Sequence, residues 1–321
     1  MTNKNNKLDI KTVLKKNYLD RDISWMYFNH RILQEAKKDS VPILERIKFL
    51  GIYSNNLDEF FRVRMAYLSN LSYDKEIKND ERDKVKKQIE TIGKLNTEYA
   101  HEYENTIKNV LSKLRKEGIA ILNEQEVNVA QQEYVKTFYQ ENLNGHINPV
   151  LLSSVSQLDK ENDYNIYLAV KMTRIKDDNK TEREYAIVEV PTNKVGRFIH
   201  IPEDNGCKCL MYLDDVIRLC LPYIFEGSQY DTYQAYAFKF TRNAEMEIDD
   251  DLQQSALQKV FKGLKSRKRG EPLRIIYDED MPKDLLRKLM NKMHLIKLDT
   301  VLPSGRYHNH KDLTSFPNFG R

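Results

Sequence analysis

The densest run of residues able to do chemistry is Ser54-Asn55-Asn56-Leu57-Asp58-Glu59, with Arg62 and Arg64 just beyond it. Ser54, Asn55 and Asn56 interrupt the apolar pattern before them, and Asn56 with Glu59 three places later has the form of a capping box. The spacing therefore predicts a helix N-terminus at Asn56. Free backbone N–H groups and the positive end of the helix dipole at such a point favour anions, while the bland reading is that Asn56 only caps its helix. Asp58 and Glu59 are an acid–base pair by type, but carboxylates in a first turn also simply stabilise the helix end. Arg62 and Arg64 suit bidentate phosphate contact, or ion pairs with Asp58 or Glu59.

A second group lies near the end of the chain. His308-x-His310 in an extended strand would put both imidazoles on one face, yet no further metal ligand is close in sequence. Arg306 and His308 read either as the lining of a phosphate path or as a loop packed on a neighbouring domain. Cys207-x-Cys209 is half of a metal site without a second half; with Cys220 it makes three thiols, which fits no disulfide framework. Lys262, Lys265, Arg267, Lys268 and Arg269 form a local basic run, either a polyanion contact or a solvated loop. No Gly-rich phosphate loop, GxGxxG, HExxH or serine nucleophile elbow occurs.

The elements that would carry these residues change character along the chain. Trp25, Phe28, Ile32, Leu33 and Ala36 recur at helical spacing, with Asp22 or Ser24 as the cap, and Trp25, Phe28 and Tyr53 read as core aromatics. Pro42 opens a second helix and Asn56 a third. Val85, Ile89, Ile92, Leu95, Tyr99, Tyr103, Ile107 and Leu111 stripe a long helix that ends near Gly118. Residues 1–117 are thus an all-helical bundle, and residues 118–321 a mixed α/β domain, giving an α+β multidomain fold. In the second unit we expect a strand at Ile119–Leu122, a helix over Gln131–Leu143, and a hairpin of Ile166–Ile175 with Glu184–Val190. Further on come extended chain at Arg197–Ile201, a helix over Leu210–Phe225 containing Pro222, and a strand at Ala235–Thr241. The last expectations are a helix over Asp249–Leu264, a strand at Leu273–Tyr277 and a helix over Pro282–Met293.

Composition sets the outer limits. With 321 residues, 40% hydrophobic and 31% charged, the chain is long enough for about two domains. No window approaches a membrane span, and the N-terminus lacks the apolar region of a secretory signal, so a cytoplasmic location is the default. A net charge of +4 with no nucleic-acid fold signature argues against a nucleic-acid partner.

Four strings carry a resemblance: Asp22-Ile-Ser-Trp-Met-Tyr-Phe-Asn-His-Arg-Ile-Leu-Gln-Glu-Ala36; Pro42 through Ser54-Asn-Asn-Leu-Asp-Glu-Phe-Phe-Arg-Val-Arg64; Gly305-Arg-Tyr-His-Asn-His-Lys-Asp312; and Phe316-Pro-Asn-Phe-Gly320. In this order, with Glu189-Val-Pro and Asp280-Met-Pro between them, they resemble the amino-terminal half of the type 1 polyphosphate kinase family. The resemblance implies reversible transfer of the terminal phosphate of ATP to inorganic polyphosphate through a phosphohistidine. That histidine is expected in phospholipase-D-like domains beyond Arg321, so no residue of this chain is assigned a catalytic role, and no turnover is expected from it alone. Also implied are ATP contact by Asn56, more weakly by Asn55, and Mg²⁺ whose ligands lie outside this chain. ATP or ADP, polyphosphate and a second copy of the chain are the implied partners, in a homodimer or higher oligomer formed through residues 118–321. Cytoplasmic location, with room for a peripheral place at the inner membrane face, belongs to the same expectation. An asparagine side chain offers a donor and an acceptor, which suits an adenine edge. A non-catalytic dimerisation or polyphosphate-binding module is the alternative.

Overall fold

The computed structural model describes residues 20–74, 76–154, 165–176, 180–241, 274–292 and 301–320. Helix α1 (Arg21–Lys37) is capped by Asp20, whose carboxylate accepts from the backbone N–H of Asp22 and Ile23 at 2.8 and 3.2 Å. The cap thus falls before the two residues expected to supply it. Helix α2 (Ile43–Phe60) runs without a break through Ser54, Asn55 and Asn56. The helix start expected at Asn56 does not exist there. Leu50, Tyr53, Leu57 and Phe60 keep helical spacing across the polar residues, and burial of that stripe outweighs their poor helix propensity. A π-helical turn (Phe61–Met65) leads into α3 (Ala66–Tyr73), and the long α4 (Asn79–Lys116) lays Val85, Ile92, Tyr99, Tyr103, Ile107, Val110 and Leu114 along the bundle core. Gly118, at φ 82°, ends it in the left-handed conformation that favours glycine.

The chain then enters two sheets. A three-stranded sheet has the order β1-β6-β5, with β1 (Ile119–Leu122) parallel to β6 (Cys207–Tyr212), and β5 (Phe198–Asp204) antiparallel to β6. Between them in sequence come α5 (Val129–Phe138), continued by a π-helical turn (Tyr139–Leu143), then β2 (Val150–Leu151), the hairpin of β3 (Ile166–Ile175) and β4 (Thr181–Val190), and the short α6 (Thr192–Val195). After β6 follow α7 (Leu213–Ile224), β7 (Thr232–Thr241), β8 (Arg274–Asp278), α8 (Lys283–Lys292) and β9 (Val301–Ser304). These complete a six-stranded sheet of order β2-β4-β3-β7-β8-β9, antiparallel except for the parallel β8–β9 pair.

Residues 210–212 belong to β6 rather than to the helix expected over Leu210–Phe225, which starts at Leu213. The reason is that β6 is buried on both faces. Leu210 joins the bundle core, while Cys209 and Met211 join the core of the α/β region. A strand covered on both sides reads as an unbroken apolar run, which periodicity cannot tell from a buried helix. The small sheet is therefore a shared wall, with Ile119 on the bundle side and Ala120 and Leu122 on the other.

The last described segment crosses that wall. From β9 it passes His308, forms a 3-10 turn (His310–Ser315), and buries Leu313 and Phe316 in the bundle core. It runs so close to α2 that a Cβ on Gly51 would lie 2.6 Å from the Thr314 nitrogen and 3.0 Å from the Leu313 carbonyl carbon. Gly51 is the residue that lets this segment lie against the helix. The expected helix over Asp249–Leu264 and the basic run Lys262–Arg269 lie outside the described residues.

Candidate functional site

The polar face of α2 is organised by α1. Asn29 is 1% exposed; its Nδ2 donates to the Tyr53 carbonyl at 3.1 Å, and its Oδ1 accepts from Asn56 Nδ2 at 3.2 Å. Asn56 is half-buried and Asn55 exposed. Because Asn56 lies inside α2, the dipole and free N–H argument for it does not apply; what it offers is its side-chain amide. Ile52, one turn before Asn56 on the same helix, is 37% exposed, and Phe28 on α1 is 56% exposed. Phe28 is therefore not the core aromatic it was expected to be, since Met26, Asn29, Leu33 and Ala36 take the inward face of α1. Trp25 stacks on Phe60 with centroids 4.2 Å apart, and Tyr53 is buried as expected.

The arginines beyond are held by carboxylates. Arg62 contacts Glu59 at 2.9 and 3.1 Å, and Arg64 grips Asp22 with Nε and Nη2, both at 2.9 Å. Asp22 is 4% exposed, so Arg64 serves to neutralise it. A phosphate would have to compete with these carboxylates for either arginine.

Asp58 points the other way, across the bundle. Its two oxygens receive Lys239 Nζ of β7 at 2.8 and 3.0 Å, and the same Nζ reaches Asn309 Oδ1 at 3.2 Å. The two sequence-distant candidate groups thus meet through Lys239. Arg306 donates to Asp215 at 2.9 Å and also reaches Glu124; burial would lower its pKa, yet these two carboxylates hold it raised. Tyr307 donates to Asp215 at 2.7 Å, and Arg218 pairs with it at 2.7 Å. Arg197 faces Asp214 at 2.9 and 3.0 Å and donates to the His308 carbonyl at 3.1 Å.

His308 is 4% exposed, and its Nε2 lies 3.1 Å from the Ala237 carbonyl, which can only accept. The ring therefore carries its proton on Nε2 and is neutral. Burial, helped by Lys239, pushes its pKa down to about 3. His310 stacks on Tyr103 and is pushed down to about 4 by desolvation and Arg197, although part of the residue reaches the surface. The imidazoles thus do not form the paired metal face considered for them. A neutral buried His308 has a stability consequence. Above its ordinary pKa of 6.5, neither folded nor unfolded chain protonates it; below, only the unfolded chain does, until about pH 3. Stability should fall by about 1.4 kcal/mol per pH unit in that window, or about 2 kcal/mol at pH 5. Urea unfolding at pH 7.5 and 5.0 should show wild type losing that much more than His308→Gln; equal losses would reject the account.

Sequence profiles settle the family. The profile of the polyphosphate kinase N-terminal domain matches residues 18–122, and that of the polyphosphate kinase middle domain residues 130–316. The chain belongs to the polyphosphate kinase family. It is 36% identical over 313 residues to the polyphosphate kinase of Vibrio cholerae, covering 95% of this chain and 43% of that protein. To the polyphosphate kinase of Escherichia coli K12 it is 36% identical over 315 residues, 96% and 44% of the two chains. The fold is similar to the crystal structure of polyphosphate kinase from Porphyromonas gingivalis, with a TM-score of 0.72 and 28% identity over 94% of this chain and 41% of that one. The chain thus spans less than half the length of these polyphosphate kinases.

Among the described residues of this polyphosphate kinase chain, no three histidine, cysteine, aspartate or glutamate side chains converge as metal ligands. Cys207, Cys209 and Cys220 are free thiols, and burial pushes Cys220 up to about 12. No described helix is long and apolar enough to cross a membrane. Sequence reasoning missed Asn29, Lys239, Arg197, Asp214 and Asp215. For the last two a signal existed: an acidic pair set between Leu213 and Val216-Ile217 marks charge carried into a core.

Proposed function

We infer that this chain is the nucleotide side of an enzyme that reversibly moves the terminal phosphate of ATP to inorganic polyphosphate, with the phosphohistidine supplied by sequence outside residues 1–321. The observation that carries the nucleotide role is the Asn56 amide, held by Asn29, with the exposed Ile52 one turn before it on the same helix. Apolar surface next to a fixed donor–acceptor group suits a purine: the ring lies on one and its edge pairs with the other. Asn56 is the main contact, and Asn55, exposed one residue earlier, a weaker one. Arg62, Arg64 and Arg306 take part only where a phosphate displaces the carboxylates that hold them, Glu59, Asp22, and Glu124 with Asp215; His308, 4% exposed and bonded to the Ala237 carbonyl, does not. Homodimerisation through residues 118–321, Mg²⁺ dependence and a cytoplasmic location complete the reading on family grounds.

Calorimetry of ATP against this chain and against Asn56→Ala tests it. One or two neutral hydrogen bonds lost should weaken binding by about tenfold. Equal affinity for the two proteins would remove Asn56 from the site. Polyphosphate binding without ATP binding would favour the non-catalytic module.

A further inference from the structure

One backbone carbonyl sets the orientation of two side chains. The Tyr53 carbonyl only accepts, so the Asn29 group 3.1 Å from it is the NH₂. The other end of Asn29 is then its oxygen, which also only accepts, so Asn56 must turn its own NH₂ toward it at 3.2 Å. Neither amide can rotate by 180° without placing like against like. Asn29 is 1% exposed, so water cannot repair such a mismatch at its own amide. What Asn56 has left for a ligand is its Oδ1, unpartnered among the described residues, and its second N–H.

We propose that Asn29 is a positioning residue for nucleotide selection: by locking the Asn56 amide it makes the site accept a 6-aminopurine and refuse a 6-oxopurine. The inference rests on the reading that Asn56 meets the base. Adenine presents an amino donor beside a ring-nitrogen acceptor, which matches an outward oxygen and N–H. Guanine in the same pose puts its 6-oxygen against Oδ1. A free asparagine would answer by turning over and offering its NH₂ instead. Asn29 forbids that turn, so selectivity arises from a residue that does not touch the ligand.

The test measures ATP and GTP affinities for wild type, Asn29→Leu, Asn29→Asp, Asn56→Ala and the Asn29→Leu/Asn56→Ala double variant, with thermal unfolding of each. Wild type should prefer ATP by about tenfold or more, as expected when one buried polar match becomes a mismatch. Asn29→Leu should bring the ratio close to one, with GTP binding gained, a change that general damage to the fold would not produce. Asn29→Asp still accepts from Asn56 and should keep the ATP preference, even at lower stability. In the Asn56→Ala background the leucine should change the ratio no further. Asn29→Ala replaces the leucine variant if that one does not fold. If the Asn29 variants keep the wild-type ratio while Asn56→Ala loses it, the positioning role is wrong and the nucleotide contact stands. If Asn56→Ala leaves both affinities unchanged, or wild type binds no nucleotide, the contact itself is wrong and the positioning role falls with it.

Discussion

Asp215→Asn should cost this chain about 3–5 kcal/mol of stability, the loss typical of removing one member of a buried charge group. Asp215 is fully buried, takes Arg218 at 2.7 Å and Arg306 at 2.9 Å, and accepts the Tyr307 hydroxyl at 2.7 Å. The isosteric amide keeps the volume but faces two arginines with a neutral group, one half of it a donor. Arg218, with its side chain 4% exposed, cannot turn to water. Arg306 keeps Glu124, so Glu124→Gln should be much milder, because that carboxylate is only one of the two on Arg306. For a chain of this size the loss in Asp215→Asn corresponds to a melting temperature lower by on the order of 10 °C. Differential scanning calorimetry of the two variants checks it. If both shift alike, or neither shifts, Asp215 is not the centre of the cluster.

Asp58→Ala should be comparably severe, through a different pair of elements. Lys239 is 6% exposed in β7, and Asp58 brings it a carboxylate from α2. Without that carboxylate the buried ammonium keeps Asn309 Oδ1 but loses its charge partner on α2, at a cost of about 3 kcal/mol, the lower end for breaking a buried pair because Asp58 is 28% exposed. The charge, rather than the contact, is what costs. Asp58→Ala/Lys239→Met also removes the stranded charge and should therefore recover part of the loss, with Asn309 giving up its bond to the ammonium. Urea unfolding of the single and double variants measures this directly. A single variant within about 0.5 kcal/mol of wild type, the range of ordinary surface substitutions, would mean the pair is incidental. The pair also answers why Asp58 stands where an acid–base pair with Glu59 had been conceivable: Asp58 ties the bundle to the large sheet, while Glu59 on the outer face holds Arg62.

Much of the secondary structure was open to periodicity. The α4 stripe and the helix Lys283–Lys292 follow a pattern of 3.6 that local burial enforces, and the β3–β4 hairpin was marked by its β-branched and aromatic runs on either side of a polar turn. Two failures have one cause. At Ser54-Asn55-Asn56 and at Leu210–Tyr212, tertiary burial overrode the local signal: a core stripe carried the helix through polar residues, and burial on both faces turned an apolar run into a strand.

The sequence by itself determined the class, an all-helical part followed by a mixed α/β part, and its strings pointed to the polyphosphate kinase family and to Asn56. Those strings are local, and a local string survives reading one residue at a time. It could not say what Asn56 faces, because that depends on Asn29, 27 residues earlier, and on the Tyr53 carbonyl between them. Nor could it show which groups hold Arg306 and His308. Their partners, Glu124, Asp215 and the Ala237 carbonyl, are 182, 91 and 71 residues away. Hydrogen-bond and charge partners are chosen by distance in space, and only the folded chain brings these together.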